Sequence, residues 1–304
     1  MNRFIYSNIL KAHTWATEVK TIDLPVNPIS FILITLSGFN VGDEATWAEI
    51  IAFLNKVTVT HEGNSVFNME SEDIAANMVV NGLGSPLLTA NLATDNLCRE
   101  LTLIIPFGRT LWNPNECFPA TQRGEFQLKL DCTVPATSFD NGVIDVEVCQ
   151  LPEATPEYFL KSTLLNVAAP GATGDNDLPL PIGNMISKFL VYSTTYPAAA
   201  SHVWGVNEVR VLMNNSEFGY VSARAKALHG LLGAYGLGKT HDIAAYGSVI
   251  PGNYICLDYD FWGNNQYLLE TAGASSLIMR LNMGVDEACK IITNEIVSTA
   301  TLKQ

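Results

Sequence analysis

The chain repeats itself, and the repeat sets what it can fold into. FIYSNIL (Phe4–Leu10) is echoed by FLKSTLL (Phe159–Leu165) at an offset of 155 residues, and Asp23-Leu24-Pro25 by Asp177-Leu178-Pro179 at 154. ISFILIT from Ile29 resembles ISKFLVY from Ile186, and NKVTV from Asn55 matches NEVRV from Asn207. Ser65, Phe67 and Ser71 correspond to Ser216, Phe218 and Ser222, all offset by 151. LTLIIPF from Leu101 then aligns with ICLDYDF from Ile255, LKL from Leu128 with MRL from Met279, and VIDVEV from Val143 with CKIITNEIV from Cys289. Short apolar runs are common, but a whole series in one order at offsets of about 145 to 157 marks a tandem duplication. The expected units are residues 1–152 and 153–304, with QLPEATPE (Gln150–Glu157) as the hinge.

Within each copy the apolar residues alternate. Val57 and Val59, then Leu101, Leu103 and Ile105, then Phe126, Leu128 and Leu130, and finally Ile144, Val146 and Val148 follow the period of half-buried strands. Roughly eight such segments per copy is the number a jelly roll uses. Helices are expected at SEDIAANMVVNG, with Ser71 as cap and Gly82 as terminator, and at its echo SARAKALHGLLG, Ser222–Gly233. A further helix, DEATWAEIIAFL, places Trp47, Ile50, Ile51 and Leu54 on one face, with a shortened counterpart around Val203–Val206. The predicted architecture is all-β: two tandem eight-stranded jelly-roll β-sandwiches with short inserted helices.

Charge narrows the function classes. The 17 basic residues face 30 acidic ones, for a formal net charge of −13. Proteins that wrap nucleic acid leave a basic footprint, so direct nucleic-acid binding is not expected. The start, MNRFIYSNILKAHTW, lacks the apolar run of a signal peptide or membrane span. The six cysteines form no C-x-x-C pair, and Cys132, Cys149, Cys256 and Cys289 lie in strand-like runs. They read as reduced, buried thiols of a protein synthesised in a cytoplasm.

GAYGLGKT (Gly233–Thr240) satisfies the phosphate-loop pattern, and YICLD ends in an acidic residue, Asp258. That chemistry needs a strand before the glycine-rich turn and a helix after it. Here a helix precedes Gly233, and Gly247 and Pro251-Gly252 leave no room for one after Thr240. Nucleotide binding is therefore rejected. His13, His61, His202, His229 and His241 show none of the H-x-H, H-E-x-x-H or H-x-x-x-H metal spacings, which argues against a duplicated cupin enzyme. His241, Asp242 and Ser248 lack a G-x-S-x-G elbow, so no hydrolase triad is expected. The sequon Asn214-Asn215-Ser216 is read as accidental. No catalytic, cofactor-binding or metal-binding residue is assigned.

Two features stay open. Asp258 and Asp260 share a strand face and are read as a strand end entering solvent, with a bound cation as the alternative. The aromatic loops GRTLWNPNECFPATQRG (Gly108–Gly124) and FWGNNQY (Phe261–Tyr267) suit either a sugar or subunit contact, or pins holding each loop to its own domain.

NKVTVTHEGNSVFNMESEDIAANM and its echo NEVRVLMNNSEFGYVSARAKAL, each strand, turn, short strand and helix, carry a resemblance. With the duplication and the lack of a catalytic constellation, the chain resembles the double jelly-roll major capsid proteins of tailless icosahedral viruses. The compact ones of small membrane-containing bacterial and archaeal viruses are the most similar. The resemblance implies a homotrimer whose six rolls form a pseudo-hexameric capsomer, without enzymatic activity or cofactor. It also implies neighbouring capsomers and minor capsid or vertex proteins as partners, in the shell of a virion. The basic N-terminal MNRFIYSNILK, with Arg3 and Lys11, is the candidate contact to an internal membrane or minor protein. The competing readings are a tandem β-sandwich carbohydrate-binding protein and, behind it, a cupin-like enzyme.

Overall fold

The computed structural model describes residues 3–42, 45–84, 86, 95–134, 139–195, 202–235 and 253–303. They form two compact units, residues 3–163 with 297–303 and residues 164–235 with 253–296.

The first unit contains β1 (Ile5–Thr14), β2 (Glu18–Asp23), β3 (Ile29–Asn40), α1 (Trp47–Ile51), β4 (Leu54–His61) and β5 (Asn64–Glu70). It continues through α2 (Ser71–Val80), β6 (Cys98–Pro106), β7 (Phe126–Cys132) and β8 (Phe139–Gln150). Its strands pair in a nested series, all antiparallel: β4 with β5, β3 with β6, β2 with β7 and β1 with β8. Such nesting is a long hairpin rolled up on itself, and it deals the strands into two runs of hydrogen-bonded neighbours, β1-β8-β3-β6 and β5-β4-β7-β2. The alternating residues face inward, so Val57, Val59, Leu101, Leu103, Ile105, Leu128, Leu130, Val146 and Val148 are all buried.

The second half repeats this plan. It contains β9 (Tyr158–Val167), β10 (Gly174–Pro179), β11 (Met185–Ser193), β12 (Val206–Met213), β13 (Ser216–Glu217) and β14 (Ala223–Arg224). After α3 (Ala225–Leu231) come β15 (Tyr254–Asp258), β16 (Leu269–Glu270), β17 (Leu277–Met283) and β18 (Cys289–Ser298). Its runs of neighbouring strands are β9-β18-β11-β15 and β10-β17-β12-β13, with β14 also on β12 and β16 also on β11. The repeated strand segments thus occupy the same places in the nesting, although Ser222, the echo of Ser71, lies before β14 rather than at a helix start. A core of Phe189, Val191, Val209, Val211, Leu257, Met279, Leu281 and Ile291 fills this unit.

The innermost hairpins share a turn as well. Glu62 (φ 49°) and Gly63 (φ 81°) link β4 to β5, and Asn214 (φ 53°) and Asn215 (φ 64°) link β12 to β13. Two successive left-handed residues make the turn whose twist matches paired strands, and asparagine and glycine tolerate that region best. Asn214 is further fixed because its Oδ1 accepts from the Ser275 N–H at 2.7 Å and the Ser275 hydroxyl at 2.9 Å. The sequon is therefore a turn element.

The helices are shorter than the sequence predicts. α2 ends as expected: Gly82 (φ 71°) donates to the Val79 carbonyl at 2.9 Å and Leu83 to Met78 at 3.0 Å. This is the double closure that glycine permits after a helix. Ser71 is not its cap, however; Glu70 holds that position without a side-chain capping bond to the helix, and the Ser71 hydroxyl donates to the Leu54 carbonyl. α1 is confined to five residues by a capping box of Thr46 and Glu49 at its start and by Leu54, which belongs to β4. α3 begins only at Ala225, because Ala223 and Arg224 pair with β12 and Ser222 sits at φ 56°. Val203–Val206 is not helical, since Val206 starts β12. Among the described residues, no helix is long and apolar enough to cross a membrane.

Candidate functional site

The features that suggested chemistry resolve one by one. Of GAYGLGKT, Gly233 lies in a 3₁₀ turn, Leu232–Tyr235, that continues α3. Gly236–Thr240, including Lys239 and Thr240, lie outside the described residues, as do His241, Asp242 and Ser248. A helical turn at Gly233 is the opposite of the strand that a phosphate loop requires on that side.

Asp258 and Asp260 do not enter solvent. Asp258 ends β15 directly opposite Lys188 of β11, and Lys188 Nζ lies 2.8 Å from Asp258 Oδ2. The two side chains are only 7% and 3% exposed. The second carboxylate oxygen of Asp258 accepts the Asp260 N–H at 2.7 Å, and Asp260, 4% exposed, accepts the Asn265 N–H at 2.9 Å. Tyr220 closes the other side, its hydroxyl accepting from the Asp258 N–H at 2.7 Å and donating to the Asp258 carbonyl at 2.9 Å. Burial pushes the Tyr220 phenol far above its ordinary range, so it stays a neutral donor. The lysine ammonium occupies the place a cation would take. This cluster ties β11, β15 and the following loop together.

The two aromatic loops behave differently. In the first, Phe118 is fully buried and stacks on Phe126 with ring centroids 3.9 Å apart, while Phe107 and Phe159 approach at 5.7 and 5.0 Å. The Phe118 backbone exchanges hydrogen bonds with Ile29, and Arg109 grips the Glu116 carboxylate at 2.7 Å. This loop is pinned to its own domain. Trp112 is half-exposed, its ring edge-on to Phe31 at 5.0 Å, and it joins Arg3, Phe4, Pro114, Leu151, Glu153 and Ala154 around a cleft of about 130 Å³. In the second loop, Trp262 is 79% and Tyr267 67% exposed, with Phe261 packed edge-on against Trp262 at 4.9 Å. Trp262 and Tyr267 stand mostly in solvent, and exposed aromatics of this kind suit contacts with another molecule.

The cysteines are buried except Cys98. Burial pushes the thiols of Cys117 and Cys132 up to about 12 and those of Cys149 and Cys289 up to about 11. At neutral pH these four thiols are held in the protonated form, which is the poor nucleophile.

One cluster has no sequence signature. His61, Glu62 and Glu125 bring one ligand-type atom each to within 4.8 Å of one another. His61 and Glu62 are adjacent, but Glu125 is distant in sequence and immediately precedes β7. Only the β4–β7 pairing, which sets His61 opposite Phe126, brings it near. No spacing rule would reveal it without the register.

No protein-family model matches the chain, and no curated protein matches it. Solved structures do share its fold. The major capsid protein of Sulfolobus turreted icosahedral virus superposes with a TM-score of 0.72 at 13% identity, covering 99% of this chain and 98% of that one. The major capsid protein of bacteriophage PM2 gives 0.67 at 11% identity, over 97% and 98%. The capsid of virus PBCV-1 gives 0.60 at 9% identity, over 97% and 94%. The chain therefore has the double jelly-roll fold.

Proposed function

We propose that the chain is a structural major capsid protein that trimerises into pseudo-hexameric capsomers tiling the icosahedral shell of a virion. The observation that carries this reading is the identical strand nesting of both rolls, in a chain that superposes along nearly its whole length on capsid proteins. Each roll, proposed as residues 1–152 and 153–304, supplies one lobe, with Gln150–Glu157 as the proposed join, of which Leu151–Glu157 lies outside any strand. Three chains then give six similar lobes, as a near-hexagonal tile requires. A shell subunit needs rigid cores and broad lateral contacts. Buried pairs such as Lys188–Asp258 and inert thiols serve that need, and no catalytic role is assigned to any residue.

The proposed partners are two further copies, neighbouring capsomers and minor capsid or vertex proteins. Genome packaging falls to other components, consistent with the net charge of −13. The N-terminal segment, where Arg3 and the 61%-exposed Phe4 line the small cleft, is the proposed contact to an internal membrane or minor protein. Deleting residues 1–11 is expected to impair particle assembly while sparing the trimer; equal loss of both would exclude that role.

Light scattering on the purified chain tests the main reading. A particle of three chain masses that packs into hexagonal arrays supports it. The exposed Trp262 and Tyr267 beside Asn264, Asn265 and Gln266 favour a lectin-like protein as the second reading. A stable monomer that retains immobilised glycans, and loses them on Trp262→Ala, would establish that instead.

A further inference from the structure

The side chains of His61, Glu62 and Glu125 meet at one end of the first unit, where the β4–β5 turn lies against the residues leading into β7. His61 is the last residue of β4 and only 8% exposed. Its ring stands edge-on to Phe118 and Phe126, at 5.5 and 6.4 Å, which fixes its direction. Among the described residues its ring nitrogens make no hydrogen bond. A largely buried imidazole held beside two carboxylates offers a ring nitrogen that can act as a ligand.

The carboxylates are placed by backbone. Glu62 is held at φ 49° in the tight turn, and its N–H donates to the Glu125 carbonyl at 2.9 Å. Glu125 Oε2 accepts the Gln122 N–H at 2.7 Å, which orients that side chain. No lysine or arginine among the described residues pairs with either glutamate. Two converging carboxylates repel, and the repulsion persists unless a cation sits between them.

We infer that His61, Glu62 and Glu125 form a binding site for one divalent transition-metal ion of the zinc class, which staples the β4–β5 turn to the entry of β7. An imidazole nitrogen with two carboxylate oxygens is a zinc-type donor set, whereas magnesium and calcium take oxygen ligands. Bonds of about 2.0–2.2 Å in tetrahedral geometry place neighbouring ligand atoms roughly 3.4 Å apart. The present separations, within 4.8 Å, must close to that distance by side-chain rotation, for which the exposed Glu62 is best placed. The fourth position is left to water. The inference does not depend on the capsid reading.

The test uses the full chain, stripped with chelator and carrying Cys98→Ser to remove the exposed thiol. Zinc chloride is titrated by calorimetry and cobalt chloride by visible absorption. One ion per chain is expected, with a cobalt spectrum of nitrogen and oxygen ligation and a zinc-dependent rise in melting temperature. Glu62→Gln and Glu125→Gln should each weaken binding at least about tenfold. Glu62→Gln is the decisive variant, because an exposed turn side chain can be changed without disturbing the aromatic packing around His61. Zinc binding no tighter than about 1 mM overturns the inference. So does binding that survives both glutamine variants, or calcium binding more tightly than zinc.

Discussion

Asp258→Asn is the sharpest test of how the second roll is held. The substitution keeps the shape of the side chain and an oxygen to accept the Asp260 N–H, but removes the charge facing Lys188 Nζ at 2.8 Å. Both side chains are more than nine-tenths buried, so the ammonium is left in a poorly solvated place beside a neutral amide. Breaking a buried pair from one side costs about 3–5 kcal/mol. For a unit of this size about 2–4 °C accompanies each kcal/mol, so the melting temperature should fall by roughly 6–20 °C. The assay is thermal unfolding at fixed protein concentration, since oligomerisation itself shifts the midpoint. The companion variant Lys188→Met with Asp258→Asn removes the buried ammonium as well and should recover part of the loss. The cycle should give a coupling of about 0.5–3 kcal/mol. An Asp258→Asn protein within about 0.5 kcal/mol of wild type would refute the reasoning, because no buried pair that matters is so cheaply lost.

The remaining predictions are shorter. Phe118→Ala should cost about 3–5 kcal/mol by emptying the stack on Phe126, whereas Trp262→Ala, at a 79%-exposed position, should stay within about 0.5 kcal/mol; denaturant titration separates them. The Arg280 guanidinium beside Asp177, at 2.5 Å, holds that carboxyl below its usual range. A depressed folded value means that the contribution is present above the ordinary carboxylate value near ~3.9 and lost as pH falls through the folded one. Asp177→Asn should therefore remove part of the stability above that value and flatten the acid limb of a pH–stability curve; an unchanged limb would contradict this. Mild alkylation of the native chain should modify Cys98 first, because Cys117 and Cys132 are pushed up to about 12, and peptide mapping showing equal labelling would be the contrary result.

Much of the fold is legible in residues alone because β-structure with one buried face writes itself as alternation. Val57/Val59 and Leu101/Leu103/Ile105 announce strands, and the echo at Val209/Val211 and Ile255/Leu257 announces a second set in the same order. Gly82 is legible as a helix end because only glycine enters that conformation freely. What the residues hide is set by partners distant in sequence. Asp258 looks like a solvent-facing strand end until pairing places Lys188, 70 residues earlier, directly across the ladder. Phe118 looks as exposed as Trp112 until the loop's backbone bonds to Ile29 fold it inward. The short α1 and α3 escape for a local reason: helix-forming residues at Leu54 and at Ala223–Arg224 are taken by strands, and tertiary pairing overrides propensity. The His61, Glu62 and Glu125 cluster is hidden for the same reason as Lys188, since only the register unites it.

Electron cryo-microscopy of the material this chain assembles into tests the central claim most directly. The capsid reading predicts tiles with six lobes built from three chains, each chain contributing both of its rolls, joined edge to edge in a hexagonal lattice. Isolated single chains, or an oligomer whose lobes do not number two per chain around a threefold axis, would contradict it.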